Sequence, residues 1–257
     1  MLACLPIISR WMWVMIVKYR PQRFADFWRW DGPVQRVTQF LRARLLPKCL
    51  LLGGDYGTGK TSLARVTGQA ISCEGTSHFE PCGECIGCLH PTARMLGAFG
   101  AVAMIRGNSF NRDSLMRFVS EARAYPAPAI GYGAYVAIVD EAQRISDKDQ
   151  ESMLDLIEDT PNAHFIFCTT DVQRIIDGIR ARARELFMPL PSVEECVRGM
   201  RRITSAEGIR VHTSILSEIA HSQRRVPRAC IKELEMLKAC GEVRGQGQTE
   251  PLVGSLF

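Results

Sequence analysis

The sequence predicts an α/β fold, a parallel sheet covered by helices, followed by a small all-α unit. Three observations predict it. Short apolar runs recur and end on polar tips, the pattern of buried parallel strands. The first of them leads into a glycine-rich turn that opens a helix. After Pro189-Leu190-Pro191 the strand signal stops, and helical periodicity alone continues.

The chain has 257 residues, enough for one large or two modest domains with a full core. Its 46% hydrophobic and 23% charged content is ordinary for a soluble globular protein. A net charge of +5 permits contact with nucleic acid without arguing for it. Ten cysteines in so long a chain, with no clean signal peptide, do not read as a secreted disulfide framework. Residues 1–17 are apolar, with Trp11 and Trp13, but Arg10 interrupts them. They are shorter than the ~20 residues of a membrane span. They read as an extension ahead of the fold, with Met15 as the natural start.

The fold opens at Lys18-Tyr19-Arg20-Pro21, an extended, proline-punctuated segment whose Phe24 and Phe27 can pack inward. A helix is expected over 33–45, stopped by Pro47. Cys49-Leu50-Leu51-Leu52 reads as the first strand. The stretch Gly54-Asp55-Tyr56-Gly57-Thr58-Gly59-Lys60-Thr61-Ser62 then gives G-x-x-x-x-G-K-T, the P-loop pattern. Glycines let the backbone curl its N–H groups around an anion, and the helix N-terminus adds positive potential. Lys60 can reach the β- and γ-phosphates of a nucleotide, and the Thr61 hydroxyl can hold Mg²⁺.

Cys73, Cys82, Cys85 and Cys88 fall within sixteen residues, the last three as C-x-x-C-x-x-C. Two-residue gaps let thiolates turn back on one ion, and four sulfurs suit tetrahedral Zn²⁺. An iron–sulfur cluster uses similar spacing, but His90-Pro91 stands where a ferredoxin run has its fourth cysteine and proline. Free or redox-active thiols are the third alternative. A closed Cys₄ zinc site is structural and contributes folding energy.

A second strand is expected over 101–105, a helix over 112–124 and a loop over 125–132. Tyr135-Val136-Ala137-Ile138-Val139-Asp140-Glu141 is an apolar strand ending in a carboxylate pair, the Walker B arrangement. Asp140 would act on Mg²⁺ and Glu141 on the attacking water. A helix follows over 148–157, then a strand over 164–168 that ends at Thr169-Thr170-Asp171. Thr170 can sense a γ-phosphate there, whereas a purely structural threonine would cap the next turn. Arg180, Arg182 and Arg184 could simply be a solvated helix end. Helices are expected over 193–207, 213–222 and 227–239, with a frayed tail over 241–257. The domain scheme is therefore 1–17 extension, 18–190 nucleotide-binding domain with a zinc module at 73–88, 191–240 helical domain and 241–257 tail.

These motifs together resemble the AAA+ clamp-loader ATPases, most closely the bacterial DNA polymerase III gamma/tau subunits. The resemblance runs from about Val17 to Lys238. It is carried by Lys18-Tyr19-Arg20-Pro21, by Gly59-Lys60-Thr61-Ser62-Leu63-Ala64-Arg65, by the cysteines at 73, 82, 85 and 88, by Val139-Asp140-Glu141-Ala142 and by Thr169-Thr170-Asp171-Val172-Gln173-Arg174. It implies an AAA+ domain with a zinc insertion and a helical lid, binding ATP, Mg²⁺ and Zn²⁺. It places Tyr19, Arg20 and Pro21 near the adenine, makes Thr170 sensor 1 and Arg228 the lid's sensor 2. The family's Ser-Arg-Cys finger motif falls on Ala181-Arg182-Ala183, which keeps only the arginine, with Arg180 and Arg184 as close competitors. The family's Glu-Glu-Pro reads Glu158-Asp159-Thr160-Pro161. No counterpart of the family's C-terminal collar domain follows, which implies a reduced assembly or a borrowed collar.

The implied function is a DNA-dependent ATPase subunit that couples ATP to loading a sliding clamp on primer–template DNA in replication. The implied partners are other AAA+ subunits, the clamp and that DNA, in the cytoplasm and away from membranes. The rival reading is an accessory AAA+ protein that uses ATP as a switch to recruit replication proteins. An unrelated P-loop enzyme such as a nucleotide kinase fits neither the cysteine insertion nor the lid.

Overall fold

The structure is a computed structural model that describes residues 14–75, 79–89, 102–124 and 133–240. The expected loop over 125–132, the tail over 241–257, His90-Pro91 and residues 1–13 of the apolar extension lie outside them. The described residues form two compact units, 21–190 and 14–20 with 191–240.

The larger unit is built on five strands: β1 (Cys49–Gly53), β2 (Val102–Arg106), β3 (Tyr135–Asp140), β4 (Ala163–Thr169) and β5 (Ala183–Phe187). All pair in parallel, in the order β2-β3-β4-β1-β5. The apolar runs are buried because alternate side chains feed two cores. Leu50, Leu52, Val136, Ile138, Ile166 and Cys168 join α2 (Pro33–Arg42) and α3 (Lys60–Ser72) on one face. Leu51, Ala137, Val139, Phe165 and Phe167 join α5 (Arg112–Ala124), α6 (Asp147–Glu158) and α7 (Asp177–Arg182) on the other. A short helix, α4 (Ile86–Leu89), closes the cysteine segment.

The register sets the site. Gly53 pairs with Thr169, and Arg106 with Asp140, so the carboxyl ends of β1, β3 and β4 lie side by side. Ligands of open α/β sheets bind at that edge.

In the smaller unit, α1 (Val14–Lys18) accompanies α8 (Val193–Glu207), α9 (Thr213–Ser222) and α10 (Pro227–Cys240). A capping box of Ser192 and Glu195 starts α8, and Gly208 at φ 68° ends it. The Met15 amide donates to Glu235 Oε1 at 3.1 Å. Residues 14–17, expected ahead of the fold, are thus part of this unit. The domain scheme set Lys18-Tyr19-Arg20 at the head of the sheet domain, but they group with the helices.

β5 is the strand that the sequence pattern does not predict, because 180–184 reads there as an arginine-rich helix end. α7 ends at Arg182, and Ala183–Phe187 then pairs with β1. It is an edge strand with three exposed side chains, so it carries no apolar run.

Candidate nucleotide site and cysteine centre

The turn between β1 and α3 takes its shape from glycine. Gly54, Gly57 and Gly59 have φ of 142°, 78° and 104°, which other residues adopt only with strain. A Cβ on Gly54 would lie 2.7 Å from the Met188 carbonyl oxygen, and one on Gly59 would lie 3.3 Å from the Phe27 ring. α3 begins at Lys60, so its free N–H groups face the turn. The Thr58 hydroxyl donates to the Asp55 carbonyl at 2.8 Å and steadies the loop. Asp55 and Tyr56 are exposed, while Ser62 is half-buried on the first turn of α3.

Lys60 is buried, and its Nζ donates to the carbonyls of Gly54 and Asp55, each at 2.7 Å. The loop carbonyls hold the cation where an anion's oxygens could replace them. The Thr61 hydroxyl donates to Asp140 Oδ1 at 2.8 Å. That oxygen also accepts from the Glu141 amide at 3.1 Å. A hydroxyl and a carboxylate this close form a hard-oxygen pair suited to Mg²⁺.

Glu141 sits in the left-handed region at φ 53°. Such strain in a non-glycine residue is concentrated at functional sites. Its carbonyl leans on Gly107, where a Cβ would come within 2.1 Å. Its carboxylate pairs with Arg144 Nε at 2.9 Å. At the tip of β4, Thr169 is buried, and its hydroxyl lies 3.0 Å from Gln143 Oε1 and 2.8 Å from the Asp171 carbonyl. It also accepts from the Asp171 amide at 3.0 Å, so Thr169 shapes the turn. Thr170 is half-buried, and its amide faces Gln143 Oε1 at 3.4 Å. Gln143 and Arg144 belong to no motif and were missed. So was Gln150, a buried side chain that donates to the Arg174 carbonyl and accepts from the Ile176 amide, each at 3.0 Å. It fixes the loop after β4.

Arg182 lies on the exposed end of α7, with Nε 2.6 Å from Glu158 Oε1. Arg180 pairs with Asp177 and Glu185, and Arg184 is exposed on β5. The helical unit holds Tyr19, Arg20 and Arg228. Arg228 is exposed in the first turn of α10. Pro21 begins the larger unit. The Tyr19 hydroxyl donates to Glu207 Oε1 at 2.5 Å, Lys18 Nζ lies 2.6 Å from the same oxygen, and Lys238 pairs with Glu207 Oε2. These contacts with Lys18, Lys238 and Tyr19 pull the Glu207 carboxyl down to about 2.

The four sulfurs of Cys73, Cys82, Cys85 and Cys88 lie within 4.8 Å of one another. Cys82 and Cys88 are 3.9 Å apart, and Cys85 and Cys73 are 4.0 Å apart. Ligands ~2.3 Å from a tetrahedral ion sit ~3.8 Å from each other. A multi-iron cluster holds its cysteines farther apart, because irons and sulfides intervene. Backbone N–H groups point at the sulfurs, from Gly75 to Cys73 at 3.3 Å and from Cys85 to Cys82 at 3.3 Å. The amides of Glu84 and Cys85 bring the Cys82 thiol down to about 6. The residues fit a single tetrahedral metal ion.

Among the described residues no helix is long and apolar enough to cross a membrane. A family model described as DNA polymerase III, delta subunit, matches residues 32–191. DNA polymerase III subunit tau of Bacillus subtilis is 30% identical over 207 residues, covering 79% of this chain and 35% of that protein. DNA polymerase III subunit gamma/tau of Mycobacterium tuberculosis is 26% identical over 223 residues, 86% of this chain and 38% of that one. The chain thus spans little more than a third of either relative's length. Among solved structures, the Thermotoga maritima RuvB Holliday junction branch migration motor superposes with a TM-score of 0.61 at 17% identity. That match covers 88% of this chain and 68% of RuvB, and it speaks for the AAA+ fold alone. With the P-loop, the parallel sheet and the cysteine cluster in place, the chain belongs to the DNA polymerase III, delta subunit, family and is a clamp-loader-like AAA+ protein.

Proposed function

We propose that this protein is a clamp-loader-type ATPase subunit that couples ATP to placing a sliding clamp on primer–template DNA. One observation carries the reading: Thr61 and Asp140, from separate P-loop and strand motifs, meet beside the loop whose carbonyls hold Lys60. Backbone N–H groups of residues 54–62 would cradle phosphates, with Lys60 moving from its carbonyls to phosphate oxygens. Thr61 and Asp140 would hold Mg²⁺, which neutralises phosphate charge when bound. Glu141 would orient and deprotonate the attacking water. Thr170 would sense the γ-phosphate, and Arg182 would reach a neighbouring subunit's nucleotide. For Tyr19, Arg20, Pro21 and Arg228 the family resemblance is the sole support. Cys73, Cys82, Cys85 and Cys88 would hold a structural Zn²⁺.

ATP turnover, measured with and without primed DNA and a clamp and beside Lys60→Ala, tests this reading. Turnover stimulated by DNA and clamp, and lost with Lys60, is expected. Absence of turnover under every condition sinks it.

The ion pair between Glu141 and Arg144 favours a second reading, in which bound ATP acts mainly as a switch for recruiting replication proteins. Tight ATP binding with turnover indifferent to DNA and clamp would mark that case.

A further inference from the structure

The cysteine module connects to the P-loop through two intermediaries, and neither follows from a motif. The first runs through α3. Gln69 Nε2, on α3, donates to the Cys88 carbonyl at 2.9 Å. Gly87 packs so closely on α3 that a Cβ would fall 1.9 Å from the Ser72 carbonyl oxygen.

The second runs through the opening segment. Residues Phe24–Asp26 form a short 3₁₀ turn whose free N–H groups need a partner. Glu80, two positions before Cys82, supplies it. Its Oε1 accepts from the Phe24 amide at 3.0 Å, and Arg23 Nε lies 3.8 Å from the same oxygen. The turn is thereby pinned, Phe24 is fully buried and Phe27 is nearly so. Phe27 then rests on Gly59, the last glycine of the P-loop. Gly59 holds φ 104°, so the ring packs on a loop position that favours glycine.

Residues 73–89 are too few to bury a core of their own, so their shape depends on what the four sulfurs hold. We infer that metal binding by Cys73, Cys82, Cys85 and Cys88 tightens nucleotide binding, because it fixes Glu80, which holds Phe24 and Phe27 against the P-loop at Gly59. Glu80 is a positioning residue in this scheme. The inference rests on the nucleotide-binding reading of the P-loop.

The test uses the full chain, a fluorescent ATP analogue titrated in the presence of Mg²⁺, and zinc content measured on the same samples. Glu80→Ala is expected to keep its zinc and to bind the analogue about tenfold more weakly, the loss of one charge-assisted cap. Glu80→Gln keeps an acceptor oxygen and is expected to restore most of the affinity. Removing zinc from the wild type should weaken binding at least as much as Glu80→Ala does. Equal affinity for wild type and zinc-replete Glu80→Ala overturns the inference. So does equal affinity for zinc-loaded and zinc-stripped wild type. A wild type that never binds the analogue overturns the nucleotide reading as well, and the two failures are distinct.

Discussion

Thr61 and Asp140 are 79 residues apart in sequence, yet the hydroxyl of one donates to the carboxylate of the other at 2.8 Å. The parallel register of β1, β4 and β3 brings them together, and their proposed joint task is to hold Mg²⁺. Thr61→Val removes the oxygen and keeps the shape, and Asp140→Asn removes the charge. Each is expected to raise the Mg²⁺ concentration needed for ATP-analogue binding about 10–100-fold, while Thr61→Ser stays near wild type. A Mg²⁺ titration of analogue fluorescence reads this directly. Unchanged Mg²⁺ dependence in both variants would remove the pair from the metal site.

Arg144 holds the carboxylate proposed to act on water, and the pair is partly exposed. Such pairs contribute up to about 1 kcal/mol and weaken with salt. Arg144→Gln is therefore expected to raise basal ATP turnover up to about fivefold. Added salt should raise wild-type turnover toward the variant's level before it inhibits both. Turnover in Arg144→Gln at or below wild type would show that the arginine supports Glu141 instead of restraining it.

The cysteine spacing predicts one zinc per chain, and the sulfur positions suit a single ion. Elemental analysis of protein purified without chelator should give about one zinc and no iron. Cobalt substitution should give the intense visible bands of tetrahedral thiolate coordination. Cys88 is buried, so Cys88→Ser should lower the melting temperature and release metal together. Zinc content near zero defeats the assignment.

Glu207 gives the helical unit a pH signature. Its carboxyl is drawn to about 2 by Lys18, Lys238 and Tyr19, below its ordinary value near 4.5. A depressed carboxyl stabilises the fold fully above its unfolded pKa, and the contribution disappears as pH falls through the folded one. The window of loss is therefore pH 4.5 down to about 2. Glu207→Gln should cost on the order of 1 kcal/mol at pH 7, since the lysines are half-exposed. The melting-temperature gap to wild type should shrink as pH falls through that window. A gap that stays constant from pH 7 to pH 3 would contradict the ion cluster.

Local pattern revealed what depends on local chemistry. The P-loop glycines, the four cysteines and the apolar runs of β1, β3 and β4 each carry their reason within a few residues. β5 does not, because Ala183–Phe187 is a half-exposed edge whose strand character comes from pairing with β1, more than a hundred residues earlier. Lys18 and Tyr19 looked like the head of the sheet domain because Pro21 follows them, but their partner is Glu207, on α8. Gln143, Arg144 and Glu80 are ordinary polar residues until the fold sets them beside Thr169, Glu141 and Phe24. Interactions of that kind are decided by tertiary register and leave no period in the chain.

Arg182 is engaged by Glu158 within its own chain, through Nε at 2.6 Å, and its guanidinium also reaches the Gly178 carbonyl at 3.0 Å. Glu158 stands in the segment where the related family has Glu-Glu-Pro, so the pairing joins the residues kept in two otherwise altered motifs. If Arg182 serves a neighbour's nucleotide, it must leave Glu158, and assembly has to supply the exchange. Arg182→Ala is then expected to cut turnover of the assembled complex by roughly 10³–10⁵ while leaving ATP-analogue affinity unchanged. Arg180→Ala and Arg184→Ala should stay within a few-fold of wild type, because an arginine finger acts from one position. Glu158→Ala frees Arg182 in advance and should raise turnover most where subunit concentration limits assembly. Mixing Lys60→Ala with Arg182→Ala subunits adds a check, since a site shared between chains regains partial turnover when each variant supplies what the other lacks. Wild-type turnover in Arg182→Ala, with collapse in Arg180→Ala or Arg184→Ala, would move the finger to that residue.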